Sequence, residues 1–290
     1  MKFNYAYCID MGGTFLKGAI TDYKGNLITK VYQVPANSAS SLDDYINSFA
    51  TMFKNLEIEA KEKNIDIEFI ALSIPGPFDY EKGVSKMSHK YQAIYNLDLK
   101  QLFLEKLNIT KPMFFENDVI SFLLGESKDM VDLDKKSICA ITLGTGLGYV
   151  VMNKNVILRN DLGSPKEYIY DKPYKDGIME DYFSARGMIY FYKLMTNKSI
   201  ESSKAISDLA KNGDYEALET LKQFGKELGL GLLPYLTKNK VNDLYLGGQV
   251  SKAYPYFLES LQKELKNINV HVSQNENSAL SGLAVRFFNS

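Results

Sequence analysis

The sequence predicts an α/β fold made of two similar halves, and three observations carry that expectation. Short apolar runs end in glycine or proline turns, one pattern of strand, glycine loop and hairpin occurs twice, and stretches of helical spacing lie between these runs. The first pattern is Tyr5–Ile9, a glycine loop, Phe15–Thr21, a turn at Tyr23-Lys24-Gly25-Asn26 and Leu27–Val34. From Ser41 the apolar positions Leu42, Tyr45, Ile46, Phe49, Phe53, Leu56 and Ala60 predict an amphipathic helix, with Ser41 and Asp44 as its capping box. Phe69–Ile74 reads as a buried strand stopped by Pro75-Gly76-Pro77, and Met113–Phe115 as another stopped by Glu116-Asn117-Asp118. The second copy of the pattern is Ile138–Leu143, Gly144-Thr145-Gly146-Leu147-Gly148, Tyr149–Met152, a turn at Asn153-Lys154-Asn155 and Val156–Leu158. A helix follows through Leu218, Leu221, Phe224, Leu228, Leu232, Tyr235 and Leu236, with Gly225 and Gly229 allowing close packing. A strand at Leu244–Leu246 then ends in Gly247-Gly248.

The 290 residues suffice for two domains, and 45% hydrophobic with 24% charged residues is the composition of a folded soluble chain, not a disordered or fibrous one. Lys and Arg total 34 against 35 Asp and Glu, so no basic excess exists for nucleic acid or an anionic membrane. Cys8 and Cys139 sit far apart in apolar runs and read as small buried hydrophobes rather than a disulfide framework or zinc cage. With only His89 and His271 besides, a metal held by several His or Cys ligands is hard to build, while oxygen-ligated magnesium fits. The start, MKFNYAYCID, has no apolar signal-peptide core, and the longest uncharged stretch, Ser137–Asn153, is 17 residues with three glycines. The expected compartment is the cytoplasm.

Asp10-Met11-Gly12-Gly13-Thr14 follows a strand, where glycines let backbone N–H groups approach phosphate oxygens and the acid can hold magnesium through water; an ordinary tight turn is the alternative. Lys17 either reaches a phosphate or is a solvated strand lysine. Gly144-Thr145-Gly146 repeats the arrangement, and two such loops facing each other suit a polyphosphate held between domains. No P-loop motif occurs, and Gly144-x-Gly146 has Tyr149 where a dinucleotide fingerprint needs its third glycine. Asn117 and Asp118 are preferred helix caps, or else Asp118 is a general base and Asn117 a substrate ligand. Glu167 and Glu180, in a stretch rich in Tyr and Lys, either bind sugar hydroxyls or belong to a solvated loop.

Together these motifs resemble the ROK family of sugar kinases and regulators, nearly end to end. Asp10–Lys17 looks like the family's first phosphate loop, Ser73–Asp79 with Gly76 like its sugar-side segment, and Glu116–Glu126 like its diagnostic END–GE run, whose aspartate is the catalytic base, here Asp118. Leu143–Gly148 resembles the second phosphate loop, Leu246–Ser251 with Gly247 and Gly248 the adenosine-side loop, and Ser278–Ala284 the closing helix. The resemblance implies an α/β two-domain actin-like ATPase (ribonuclease H-like) fold with a central interdomain cleft. The domains expected are 1–116 with 277–290, and 117–276.

This sequence departs from the family in the sugar segment. Pro165–Tyr170 keeps Glu167 but puts Tyr170 where the family has a histidine that binds zinc and sugar, and the cysteine motif beyond survives only as Gly177-Ile178-Met179-Glu180. The resemblance is to members without zinc. Val150 also replaces the last glycine of the second loop motif. The activity implied is transfer from MgATP to a hexose or N-acetylhexosamine, glucose or N-acetylmannosamine first, then β-glucosides or other hexoses. Asp118 is the base and Asp10 lies in the magnesium shell. Gly12, Gly13, Thr14, Lys17, Gly144, Thr145, Gly146, Gly247 and Gly248 would hold the nucleotide. Gly76, Asn117, Asp118, Glu167, Tyr170 and Glu180 would meet the sugar. A homodimer is implied, with no nucleic-acid partner, since only nine residues precede Asp10 where family repressors carry a helix-turn-helix. The competing expectations are a non-catalytic sugar sensor on the same fold and, less compatible with the END–GE run, a chaperone-like or acyl-phosphate-forming ATPase.

Overall fold

A computed structural model describes residues 5–88 and 91–289. His89 and the first four residues of the opening run lie outside the described residues. The chain divides into two compact units, Met1–Met130 with Arg159–Pro165 and Asn275–Ser290, and Val131–Leu158 with Lys166–Gln274. The first boundary therefore falls after the END helix rather than before it.

In the first unit, β1 (Tyr5–Met11) is buried along nearly its whole length, as an apolar strand covered on both faces must be. It pairs antiparallel with β2 (Phe15–Asp22) and parallel with β4 (Ile67–Ile74). With β3 (Tyr32–Pro35) and β7 (Met113–Asn117) the sheet order is β3-β2-β1-β4-β7. The expected strand Leu27–Val34 shortens to β3, because Ile28 N bonds back to Ile20 O and the Thr29 hydroxyl takes Ile20 N. Thus Leu27 makes only an isolated bridge to Thr21. One face is covered by α1 (Leu42–Glu62), whose capping box of Ser41 and Asp44 forms as expected. Its Tyr45, Phe49 and Phe53 pack on Phe103 of α2 (Leu99–Leu107). A small hairpin, β5 (Phe78–Asp79) and β6 (Val84–Ser85), follows β4. The other face presents Ala6, Cys8, Ala19 and Ala71, small enough for the C-terminal helix (Ser278–Phe288) to lie close. The END helix, α3 (Asp118–Ser127), follows β7 directly.

The second unit repeats the plan. Its sheet order is β10-β9-β8-β13-β14, formed by β8 (Ser137–Leu143), β9 (Leu147–Asn153), β10 (Val156–Ile157), β13 (Asp243–Gly247) and β14 (Asn269–Val272). Each pairing has the same sense as its counterpart in the first sheet. The hairpin β11 (Pro173–Tyr174) and β12 (Gly177–Ile178) leads into α4 (Met179–Tyr182). Helices α5 (Ala185–Thr196), α6 (Ser203–Lys211), α7 (Tyr215–Lys238) and α8 (Tyr254–Glu264) supply most of the remaining core. Gly225 of α7 does permit close packing, since a Cβ there would stand 2.3 Å from Phe257 O of α8. The C-terminal helix of the first unit is α9 in chain order.

Candidate functional site

The first unit gathers its polar residues where β1, β4 and β7 end. Asp10 is in register with Ser73, and Ser73 with Glu116, so three polar side chains form a row across adjacent parallel strands. This is the sheet edge where open α/β folds bind ligands. The Ser73 hydroxyl donates to Asp10 Oδ1 at 2.7 Å. Desolvation at the strand end pushes the Asp10 carboxyl up to about 6; the Ser73 bond opposes the rise, the negative charge of Asp118 adds to it, and Lys17 opposes it. Asp10 and Asp118 are thus electrostatic neighbours, and Lys17 is the register partner of Asp10 on β2. Lys17 Nζ also donates to Glu276 O at 3.4 Å.

The turn between β1 and β2 is braced from outside. Gly12 N bonds Phe15 O, the Tyr91 hydroxyl donates to Gly12 O, and the Ser38 hydroxyl donates to Gly13 O at 2.8 Å. Thr14 O accepts from Ala36 N. Gly76 lies in the turn between β4 and β5.

Asn117 is the N-cap of α3: its Oδ1 accepts from Val119 N and Ile120 N, and its Nδ2 donates to Tyr80 Oη at 2.9 Å. The capping alternative is therefore realised at Asn117, and Asp118 Oδ1 also accepts from Val119 N at 2.8 Å. Glu116, only 2% exposed, accepts from the two terminal guanidinium nitrogens of Arg159, Nη1 at 2.8 Å and Nη2 at 2.6 Å, and from the Asn117 N–H at 2.8 Å. Arg286 Nε stands 3.4 Å from its Oε2.

In the second unit the glycine turn joins β8 to β9, with Gly144 N bonded to Gly146 O and Gly144 O accepting from Ala185 N. Glu180 lies on this turn: its Oε2 accepts Leu147 N at 3.1 Å, and Arg186 donates to its Oε1 at 3.0 Å. Gly247 closes β13 beside Thr142 of β8. Gly248, at φ +89°, sits so near that a Cβ would be 2.3 Å from Leu143 O, which fixes the Gly247-Gly248 turn against the strand leading into Gly144.

Glu167 has a different partner. Lys238 of α7 donates to both its carboxylate oxygens, at 3.0 and 3.2 Å. Tyr170 is 37% exposed, its ring meets Tyr168 edge-on and its carbonyl accepts Glu180 N. Desolvation, then Asp171, Tyr168 and Glu180, raise its phenol. The chain thus associates Tyr170 with Glu180 and gives Glu167 to α7.

Tyr80, Arg159 and Arg186 stand outside every motif read from the sequence, and Ser73 and Glu116 read there only as motif positions without a role of their own. Ser73 and Glu116 carry a readable signal, each being a polar residue at the end of an apolar strand run. Arg159 and Arg186 carry one in composition, because the chain holds three arginines against 31 lysines. All three arginines pair with Glu116 or Glu180.

Two sheets of one strand order, each with a glycine turn behind its first strand, define the actin-like ATPase class of fold. A ROK family glucokinase from Streptomyces griseus, solved in complex with glucose and AMPPNP, matches with a TM-score of 0.79 at 19% identity, over 97% of this chain and 98% of that one. A glucokinase from Parabacteroides distasonis matches at 0.77, with 20% identity over 99% and 98%. The ROK family model matches residues 6–167, and the chain belongs to the ROK family. A xylose repressor of Bacillus subtilis is 23% identical over 280 residues, 92% of this chain and 70% of the relative. A glucokinase of Thermotoga maritima is 24% identical over 267 residues, 84% of this chain and 82% of the relative. Among the described residues, no helix is long and apolar enough to cross a membrane.

Proposed function

We propose that this protein is an ATP-dependent sugar kinase that transfers the γ-phosphoryl group of MgATP to a hydroxyl of a hexose or N-acetylhexosamine, glucose or N-acetylmannosamine first. One observation carries the reading: the ends of β1, β4 and β7 make Asp10 and Asp118 electrostatic neighbours beside a glycine turn. In this reaction the sugar hydroxyl gives its proton to Asp118 as its oxygen bonds to the γ-phosphorus. The bond from that phosphorus to the bridging oxygen breaks, and ADP leaves. A positioned base contributes about 10²–10⁴ in rate, and the remainder comes from orienting and neutralising the phosphates.

The residues present fit magnesium. Asp10 is a hard oxygen donor, destabilised as an anion by desolvation and by Asp118, and a divalent cation relieves both effects. Asp10 would hold it through water, and when bound it would neutralise charge on the phosphates. Gly12, Gly13, Thr14, Lys17, Gly144, Thr145, Gly146, Gly247 and Gly248 are the nucleotide ligands of this reading. Asn117, Gly76, Tyr170, Glu167 and Glu180 are its sugar ligands. Glu167 would exchange Lys238 for the sugar.

ADP release from MgATP tests the reading against glucose, mannose, fructose, N-acetylglucosamine, N-acetylmannosamine and a β-glucoside, with Asp118→Asn as control. Sugar-dependent release that collapses in the variant supports the kinase. The second reading, a non-catalytic sugar sensor, is favoured by the Lys238 pair on Glu167 and by the similarity to xylose repressors. Sugar binding by calorimetry without ADP release would select it.

A further inference from the structure

We propose that Arg159 is a positioning residue that sets the geometry of Asn117 and Asp118 through Glu116, an inference that rests on the kinase reading above. Glu116 is a nearly inaccessible carboxylate near the end of β7, two residues before the base. A buried carboxylate must be compensated, and this one is met by a planar fork: Arg159 Nη1 on Oε1 at 2.8 Å and Nη2 on Oε2 at 2.6 Å. With its oxygens fixed in this way, Oε1 accepts the Asn117 N–H at 2.8 Å. The guanidinium thereby orients the carboxylate, and the carboxylate holds the backbone of the residue immediately before Asp118.

Arg159 belongs to a segment, Arg159–Pro165, that packs in the first unit although the chain on both sides of it belongs to the second. The segment is closed on itself by Arg159 Nη1 on Gly163 O at 2.7 Å and by the bridge between Arg159 and Pro165. It meets a second support of the same pair: Leu162 O accepts Tyr80 N at 3.2 Å, and the Tyr80 hydroxyl accepts from Asn117 Nδ2. Asn117 is thus held at its backbone through Glu116 and at its side chain through Tyr80, and the Arg159–Pro165 segment touches both.

A general need for positive charge does not explain this residue. With 31 lysines and three arginines, the chain supplies cations almost wholly as lysine. A lysine meets a carboxylate from one nitrogen, as Lys238 does at Glu167, whereas the arginine fork puts a separate nitrogen on each oxygen and fixes the carboxylate's rotation. Arg286 would not replace it, because its Nε stands 3.4 Å from Oε2 and makes no hydrogen bond. Without the fork, Glu116 would be free to turn and would release the Asn117 N–H. A displacement of about 1 Å at a reacting group lowers turnover by about 10²-fold.

The test is steady-state ADP release, with the best sugar of the panel, by Arg159→Met and Arg159→Lys in the wild-type and Asp118→Asn backgrounds, with unfolding followed in parallel. Arg159→Lys keeps a charge beside Glu116 and guards against a Met variant that fails to fold. Expected are kcat losses of roughly 10–100-fold for Met and 3–10-fold for Lys, with the sugar KM within about threefold. In the Asp118→Asn background the further loss should be at most about twofold, because residues acting through one group are not additive. Equal losses in both backgrounds would assign Arg159 to stability alone and overturn the proposal, as would an unchanged kcat or a loss confined to the sugar KM. A wild-type chain without sugar-dependent ADP release would overturn the kinase reading and this inference together.

Discussion

Replacing Asp10 by Asn separates what its carboxylate costs the fold from what it does for the phosphates. Asparagine keeps an acceptor for the Ser73 hydroxyl and removes the charge. The carboxyl is raised from 3.8 to about 6, chiefly by desolvation. At about 1.4 kcal/mol per tenfold change in an equilibrium, that gap sets a ceiling of about 3 kcal/mol on the penalty of ionised Asp10. Partial solvent contact at this residue brings the expected value to about 1–3 kcal/mol. The sign follows from proton binding. Between pH 3.8 and about 6 the folded chain holds a proton that the unfolded chain has lost, so this carboxyl's contribution to stability falls as pH rises and is fully unfavourable above about 6. In urea unfolding without magnesium or nucleotide, Asp10→Asn should exceed wild type by about 1–3 kcal/mol at pH 8, and by about a third of that at pH 4.5. The same variant should lose sugar-dependent ADP release by about 10²-fold or more, a gain in stability at the expense of activity. A variant no more stable than wild type at pH 8, or one whose advantage is equal at both pH values, would refute the argument.

Asp118→Asn should lower sugar-dependent kcat by about 10²–10⁴ with the fold intact by circular dichroism. For wild type, kcat/KM for MgATP should fall as pH drops below about 6, when Asp10 protonates; in Asp118→Asn this acid limb should move to lower pH, since the Asp118 charge helps to raise Asp10. Gly248→Ala demands both a φ of +89° and a Cβ 2.3 Å from Leu143 O, so it should lower the melting temperature by several degrees or prevent soluble expression. Lys238→Met should change the sugar KM and leave the ATP KM unaltered. Because Lys238 is 65% exposed, losing its bond to Glu167 should reduce stability by less than about 1 kcal/mol.

The duplicated architecture was legible because glycine turns behind apolar strands announce themselves locally. The runs 5–9, 15–21, 138–143 and 149–152 all lie within strands of the two sheets. The Ser41 capping box and the long helix around Leu228 were equally local, and both form. The strand expected over Leu27–Val34 forms only from Tyr32, because apolar alternation there competes with Thr29, whose hydroxyl takes the N–H of Ile20. Of the candidate site, Asp10, Asn117, Asp118 and the glycine turns were visible as residue types at the ends of apolar runs. Tyr80 and Arg159 were not, since nothing near them in sequence marks them as neighbours of that run.

The sequence by itself determined the α/β class, the repeated strand–glycine–hairpin unit, the near-neutral charge and the family, because these depend on periodicity and on short motifs read within a few residues. Tertiary structure decided which polar residues meet. It set Asp10, Ser73 and Glu116 in one row, brought Arg159 to Glu116 from 43 residues away, placed Glu180 on the second glycine turn and gave Glu167 to Lys238. Strand register and long-range ion pairs join positions distant in the chain, and the energy that selects them arises only once the sheets have formed and a buried carboxylate has to find its partner.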